Sequence, residues 1–285
     1  MQSGRRIGFH VSMAGGLPMA VDRALERHCT TFQIFCGNPR GWHLQDRDDQ
    51  ELAAFRKARR DAGLRPLFVH ACYLVNPCAS DTTVYRRSIR RLRDELDLSA
   101  AMGAEFYVLH PGSHKGHPHD WGVARATDAI SRALERANSA PALLLENTAS
   151  EHGPGGSAET IGTLLQGIED AVPEAEIGLA IDSCHAFGAG YDLRRAEEVE
   201  RLVAELSEAA GPDRIRLLHV NDSRDQPGSK RDRHTHIGEG NIGDEGFRHF
   251  LNHPALSGLP LILETPWESV QTDLRNLERV RSLLD

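Results

Sequence analysis

Nowhere in the 285 residues is there an apolar stretch of about 18, the length a membrane-spanning helix requires. The opening decapeptide, MQSGRRIGFH, has no apolar core of the kind a secretory signal needs, so the protein is expected in the cytoplasm. Cysteine is scarce: Cys29, Cys36, Cys72, Cys78 and Cys184 make an odd count, and no C-x-x-C pair occurs. That excludes a disulfide framework and a thiolate zinc site, and it fits a reducing compartment. Positive charge is also short, with 33 Lys and Arg against 41 Asp and Glu and a net charge of −8. Taken alone, this balance argues against a nucleic-acid partner. No low-complexity linker or charge block divides the chain, so residues 1–285 read as one domain.

What is plentiful is histidine, fifteen in all, alongside 40% hydrophobic residues, enough for a sizeable core. The apolar residues fall into eight short runs: Ile7–Phe9, Thr31–Phe35, Pro66–Val69, Phe106–Leu109, Ala142–Leu145, Ile177–Ile181, Ile215–Leu218 and Pro260–Leu263. Between them lie segments with apolar residues three and four apart: Leu17–Arg27, Gln50–Ala62, Val84–Met102, Val123–Asn138, Ser157–Glu169, Ala196–Ala209, Glu245–Asn252 and Ser269–Leu284. Gly63 and Gly103 each follow such a segment, where a left-handed glycine commonly ends a helix. Eight strand–helix units with continuous apolar strands predict an α/β fold, a (β/α)8 TIM barrel.

Six consecutive runs, the third to the eighth, end in an ionisable residue: His70, His110, Glu146, Asp182, His219 and Glu264. Their separations are 40, 36, 36, 37 and 45 residues, about one strand–helix unit each. In a barrel, the C-terminal strand ends ring one pocket. Burying several such groups there without a counter-ion is strongly unfavourable, and a polynuclear metal centre removes the difficulty.

The remaining motifs supply further candidates. In LHPGSHKGHPH, His110 follows the strand directly; His114 reaches the rim for a DNA-facing or supporting role, and His117 and His119 are solvated. IDSCHAFGAGYD carries Asp182 and His185 three apart at a strand-to-loop turn, a spacing that lets them face neighbouring metals. HVND supplies His219, with Asn221 and Asp222 as supporting or surface residues. In KRDRHTHIGEGNIG, Asp232 and His234 lie two apart and point the same way in extended backbone, while Arg233 points away, toward a phosphate. By spacing, His236 is as good a partner as His234. Glu146 and Glu264 are the carboxylates suited to bridging metals and positioning an activated water.

Nine nitrogen and oxygen ligands with bridging carboxylates suit three zinc or manganese ions. Two metals about 4 Å apart stabilise the attacking and leaving oxygens of phosphoester hydrolysis. Three divalent ions would also bring the net charge from −8 to −2, so a nucleic-acid substrate is no longer excluded.

Nine ordered motifs then match one family. They are HVSMAGG at 10–16, FQIFCGNPRGW at 32–42, HACYLVN at 70–76, HPGSH at 110–114, LLLENTA at 143–149, AIDSCHAFGAGYD at 180–192, HVNDS at 219–223, DRHTHIGEGNIG at 232–243 and LETP at 263–266. The chain resembles, nearly end to end, the endonuclease IV family of apurinic/apyrimidinic (AP) endonucleases. The resemblance implies a TIM barrel with three zinc ions, manganese being an alternative at some sites. His70, His110 and Glu146 match the ligands of the first zinc. Glu146 bridges to a second, completed by Asp182, His219 and Glu264. His185, Asp232 and His234 match the third, which selects His234 over His236.

The implied activity is base excision repair: cleavage 5′ to an abasic site in double-stranded DNA, leaving a 3′-hydroxyl and a 5′-deoxyribose phosphate, and removal of blocked 3′ ends. A metal-bridging hydroxide attacks phosphorus, with Glu264 and Glu146 as the catalytic carboxylates. Arg40, Tyr73 and Leu74 match the positions that enter the base stack, and the family acts mostly as monomers. Cys72, Pro77–Cys78 and SEHGPGGS at 150–157 depart from the family pattern, all in loops. The rival expectations are a sugar isomerase or epimerase on the same barrel, and a metal-stabilised lesion-binding protein without activity. An isomerase needs one or two metals, which leaves His185, Asp232 and His234 without a use.

Overall fold

The computed structural model describes residues 4–285. In chain order the strands are β1 (Ile7–Phe9), β2 (Phe32–Phe35), β3 (Leu67–His70), β4 (Phe106–Leu109), β5 (Ala142–Glu146), β6 (Ile177–Asp182) and β7 (Ile215–His219), then two short ones, β8 (Asp222–Ser223) and β9 (His234–Thr235), and finally β10 (Leu261–Leu263). Eight of them form one parallel sheet in the order β1-β10-β7-β6-β5-β4-β3-β2. The sheet closes through a parallel bridge between His10 and Gln33, where the Val11 amide donates to the Gln33 carbonyl at 2.8 Å. The result is the expected TIM barrel, with each of the eight apolar runs inside a barrel strand or within one residue of it.

The helices are α1 (Leu17–Glu26), α2 (Asp49–Asp61), α3 (Thr82–Ala101), α4 (His119–Leu134), α5 (Ala158–Ala171), α6 (Ser183–Ala189), α7 (Ala196–Ala210), α8 (Gly243–Asn252) and α9 (Val270–Ser282). Asp48, Asp81, Ser157 and Ser269 cap α2, α3, α5 and α9, each side chain accepting a first-turn amide that would otherwise lack a partner. Gly63 and Gly103 sit at φ 67 and 73, the left-handed position expected after α2 and α3.

Three features differ from the reading of the sequence. Asp182 leads into the helix α6 rather than a loop, and its side chain caps that helix by accepting the His185 amide at 2.7 Å. Helix α4 begins at His119 instead of Val123, because its first turn is largely exposed and carries no apolar periodicity. The antiparallel pair β8–β9 is only two residues a side and polar, so no alternation marks it.

The core has two layers. Apolar residues between sheet and helices form the larger. Inside the barrel, Phe68, Val108, Leu144, Ala180, Leu217 and Ile262 form a separate cluster, one from each of β3 to β7 and β10. Strand alternation means that the residue two places further along each strand also faces the barrel axis.

Candidate metal centre

Two places beyond that inner layer stand His70, His110, Glu146, Asp182, His219 and Glu264. The apolar floor therefore holds the ring of ionisable side chains in one plane at the barrel mouth. Glu146, Asp182 and His219 are fully buried, and His70 and His185 nearly so. Ligand atoms within 4.8 Å of one another gather into three groups: His70, His110 and Glu146; Glu146, Asp182, His219 and Glu264; and His185, Asp232 and His234. Glu146 belongs to two of them. Its Oε2 lies 3.1 Å from both His70 Nε2 and His110 Nε2, and its Oε1 lies 3.0 Å from His219 Nδ1. Asp232 places one oxygen 3.1 Å from His185 Nε2 and the other 3.0 Å from His234 Nε2. Asp182, Cys184 and His234 also come together. Burial raises the Cys184 thiol to about 12.

The residues fit divalent cations. His234 Nε2 is buried and makes no hydrogen bond among the described residues despite its closeness to Asp232, as expected of lone pairs aimed at a shared cation rather than at each other. The far side of each ring is tied down. His70 Nδ1 meets the Ala71 carbonyl at 2.9 Å, His185 Nδ1 the Asn147 carbonyl at 2.9 Å and His234 Nδ1 the Glu264 carbonyl at 3.2 Å. Each Nδ1–H donated there leaves Nε2 free for metal. His219 is reversed, with Nε2 at 2.9 Å from Gln33 Oε1 and Nδ1 facing the carboxylates.

Electrostatics agree. Burial pushes the Glu146 carboxyl up, but His219 and His110 outweigh it and hold the group well below the usual carboxylate range. Burial likewise disfavours charge on His219, yet Glu264 and Glu146 lift it to about 9. His234 rises to about 9 against its own burial, through Asp232 and Asp182. Without metal, the carboxylates draw protons onto the imidazoles. Divalent cations would displace those protons and satisfy the same charges.

Several supporting residues carry no metal-ligand pattern and were not singled out for the roles they fill. Asn147 Oδ1 accepts the Asp182 amide at 2.7 Å. Gln33 donates to Glu264 Oε1 at 2.6 Å. His10 stands 3.3 Å from the same oxygen. Asn221, already a candidate, holds Asp182 Oδ2 at 2.6 Å and receives the Glu264 amide at 2.8 Å. Asp222 is not a surface residue: it is buried and accepts the amides of Ser223, Gly238, Gly240, Ile242 and Gly243, organising the loop after β9. Arg233 is half-exposed and pairs with Asp225, its Nε donating at 2.6 Å. His236 turns away to Asn276 and Glu268, so geometry also favours His234. His114 is buried against His119 and His152, away from the cavity over the three groups. His117 and His119 are exposed, as expected.

That cavity, about 340 Å³, is lined by His10, Phe35, His70, Tyr73, His110, His185, Asp232, His234, Glu264 and Thr265. A larger groove of about 1330 Å³ adjoins it, sharing His10, Phe35 and Thr265. Tyr73 stands 65% exposed at the mouth, its ring edge-on to Phe35 at 5.1 Å. Arg40 is exposed on the loop whose Pro39 carbonyl accepts the Tyr73 amide at 3.1 Å. Leu74 is half-buried and packs against the core. The divergent Cys72 and Cys78 are buried; the Cys78 thiol reaches the Pro111 carbonyl at 3.1 Å and braces the HPGSH loop from below.

Fold and site together define a barrel enzyme class with ligating side chains at its strand ends, and the family model described as xylose isomerase-like TIM barrel matches residues 21–284. Within that class the similarity narrows. A probable endonuclease 4 of Methanoculleus marisnigri is 43% identical over 279 residues, 97% of this chain and 98% of the relative. Another, of Halothermothrix orenii, is 39% identical over 92% of this chain and 93% of its own. The crystal structure of endonuclease IV from Thermus thermophilus aligns with a TM-score of 0.85 at 35% identity, over 98% of both chains. The chain belongs to the endonuclease IV family of AP endonucleases, hydrolases of DNA repair. An L-ribulose 3-epimerase shares the barrel at a TM-score of 0.65 and 17% identity, over 98% of this chain and 96% of its own, a likeness of fold alone.

Proposed function

We propose that this chain is a metal-dependent endonuclease of base excision repair. It hydrolyses the phosphodiester bond 5′ to an abasic site in double-stranded DNA, leaves a 3′-hydroxyl and a 5′-deoxyribose phosphate, and removes blocked 3′ ends. The observation that carries this reading is the gathering of nine side chains into three ligand groups, two of which share Glu146. His70, His110 and Glu146 would hold one cation, Glu146, Asp182, His219 and Glu264 a second, and His185, Asp232 and His234 a third. Nitrogen and oxygen donors of this kind suit zinc, with manganese an alternative. Such cations supply charge neutralisation of the reacting phosphate and a water that loses its proton near neutral pH.

The chain's own residues do the rest. Gln33 holds Glu264 Oε1 at 2.6 Å and so fixes the carboxylate that would orient the attacking water and take its proton. Glu146, shared between two groups, holds them in register. Arg40 and Tyr73, exposed at the mouth with Leu74 beneath, replace the stacking of the missing base when the abasic nucleotide is extruded. The chain acts as a monomer on its DNA. The absence of a use for His185, Asp232 and His234 in a one- or two-metal sugar isomerase counts against that alternative, and ribulose turnover would expose it.

The test is nicking of a duplex oligonucleotide with one abasic site, with and without chelator, beside metal analysis. About three zinc per chain and chelator-sensitive nicking are expected. A metal-loaded protein that leaves the duplex intact overturns the reading.

A further inference from the structure

The seam of the barrel holds a polar chain whose hydrogen positions follow from one carboxylate. Gln33 is fully buried, and one end of its amide lies 2.6 Å from Glu264 Oε1. Two bare oxygens do not sit that close, so the amide turns Nε2 to Glu264 and Oε1 to His219. His219 Nε2, 2.9 Å from that oxygen, therefore carries its proton. The second amino hydrogen of Gln33 faces His10 Nδ1 at 3.0 Å. His10 Nδ1 then accepts, and the His10 proton belongs on Nε2. That Nε2 is buried and has no partner among the described residues, while the ring lines both the cavity over the metal centre and the adjoining groove. A buried donor left alone is unfavourable unless a ligand accepts from it.

We infer that His10 donates its Nε2–H to a phosphate oxygen of the substrate strand where the two cavities meet, and that Gln33 is the positioning residue that fixes His10 in this tautomer. The inference rests on the nuclease reading above. The competing arrangement, Nδ1–H donated to Glu264 Oε1 at 3.3 Å, would turn a lone pair toward the phosphate.

Histidine ring-15N spectra of the zinc-loaded protein, with His10 assigned from His10→Gln, read the tautomer directly. The proton should sit on Nε2 in the wild type and distribute over both nitrogens in Gln33→Leu. Binding of a duplex with a tetrahydrofuran abasic analogue should shift the His10 Nε2 signal. In nicking assays, His10→Asn, whose amide reaches only the Nδ1 position, should lose about 10- to 100-fold in kcat/KM. His10→Gln, whose amide reaches the Nε2 position, should recover most of that rate, and zinc content should not change in either. A wild-type Nδ1–H tautomer, equal losses in both variants, or zinc lost with activity would each overturn the inference. A wild type that fails to nick overturns the nuclease reading instead; the tautomer and its response to inorganic phosphate still decide whether His10 presents the donor.

Discussion

Six strands of the barrel differ from the two that close its seam. In β3 to β7 and β10, an apolar inner-layer residue is followed two places later by a candidate ligand, as in Leu144 and Glu146 or Ile262 and Glu264. In β1 and β2 the same positions hold Gly8 then His10, and Gln33 then Phe35. Gly8 is required because a Cβ there would lie 1.7 Å from the Thr31 carbonyl oxygen, where β1 crosses close to the chain entering β2. The seam supplies no carboxylate of its own. It supplies neutral groups, Gln33 and His10, that touch Glu264 and His219. One side of the barrel concentrates charge that needs cations; the other sets the direction in which that charge points.

The sharpest way to break this contrast is to disarm the charged side. Glu264→Gln should lower nicking by at least about 100-fold while abasic-duplex binding, followed by fluorescence anisotropy, stays nearly normal. A rate near wild type would remove Glu264 from the chemistry. Exhaustive chelation should abolish nicking and also lower the melting temperature, since cations bound at about a thousand times their Kd stabilise the fold by about 4 kcal/mol. An unchanged Tm would mean that the three groups hold no tightly bound metal.

On the seam, Gly8→Ala should destabilise the protein by about 3 kcal/mol, read as a lower denaturant midpoint, because backbone must move to admit the methyl. Gln33→Leu should slow nicking by about 10- to 100-fold with zinc retained, because a partner of Glu264 and His219 is removed but no ligand. If zinc fell with the rate, the division of labour between the two sides would collapse. Arg40→Ala should have the smallest effect, about tenfold in discrimination between abasic and intact duplex, at normal metal content.

Much of this was open to reading from the chain. Each apolar run marked a strand because a buried parallel strand must be continuously apolar, and the polar residue that ended it marked the mouth. The resemblance grouped the candidate ligands as the structure does. The short helix α6 was missed because Asp182 both caps a helix and faces the centre, and a cap looks the same as a loop residue in sequence. For Asp222 the sequence leaves a supporting and a surface role open, because nothing in it signals that five amides converge on the carboxylate. Arg233, which the alternation turns away from the ligands, pairs with Asp225, a partner no local pattern indicates.

The order of residues alone determined which side chains sit at strand ends, since the two-residue period of a strand and the buried apolar layer leave each of them one face to occupy. Only the folded barrel decided which nitrogen of each ring looks inward, and that Gln33 and His10 touch Glu264. Those facts depend on contacts between residues as much as 254 positions apart, whose distances and angles no local pattern encodes.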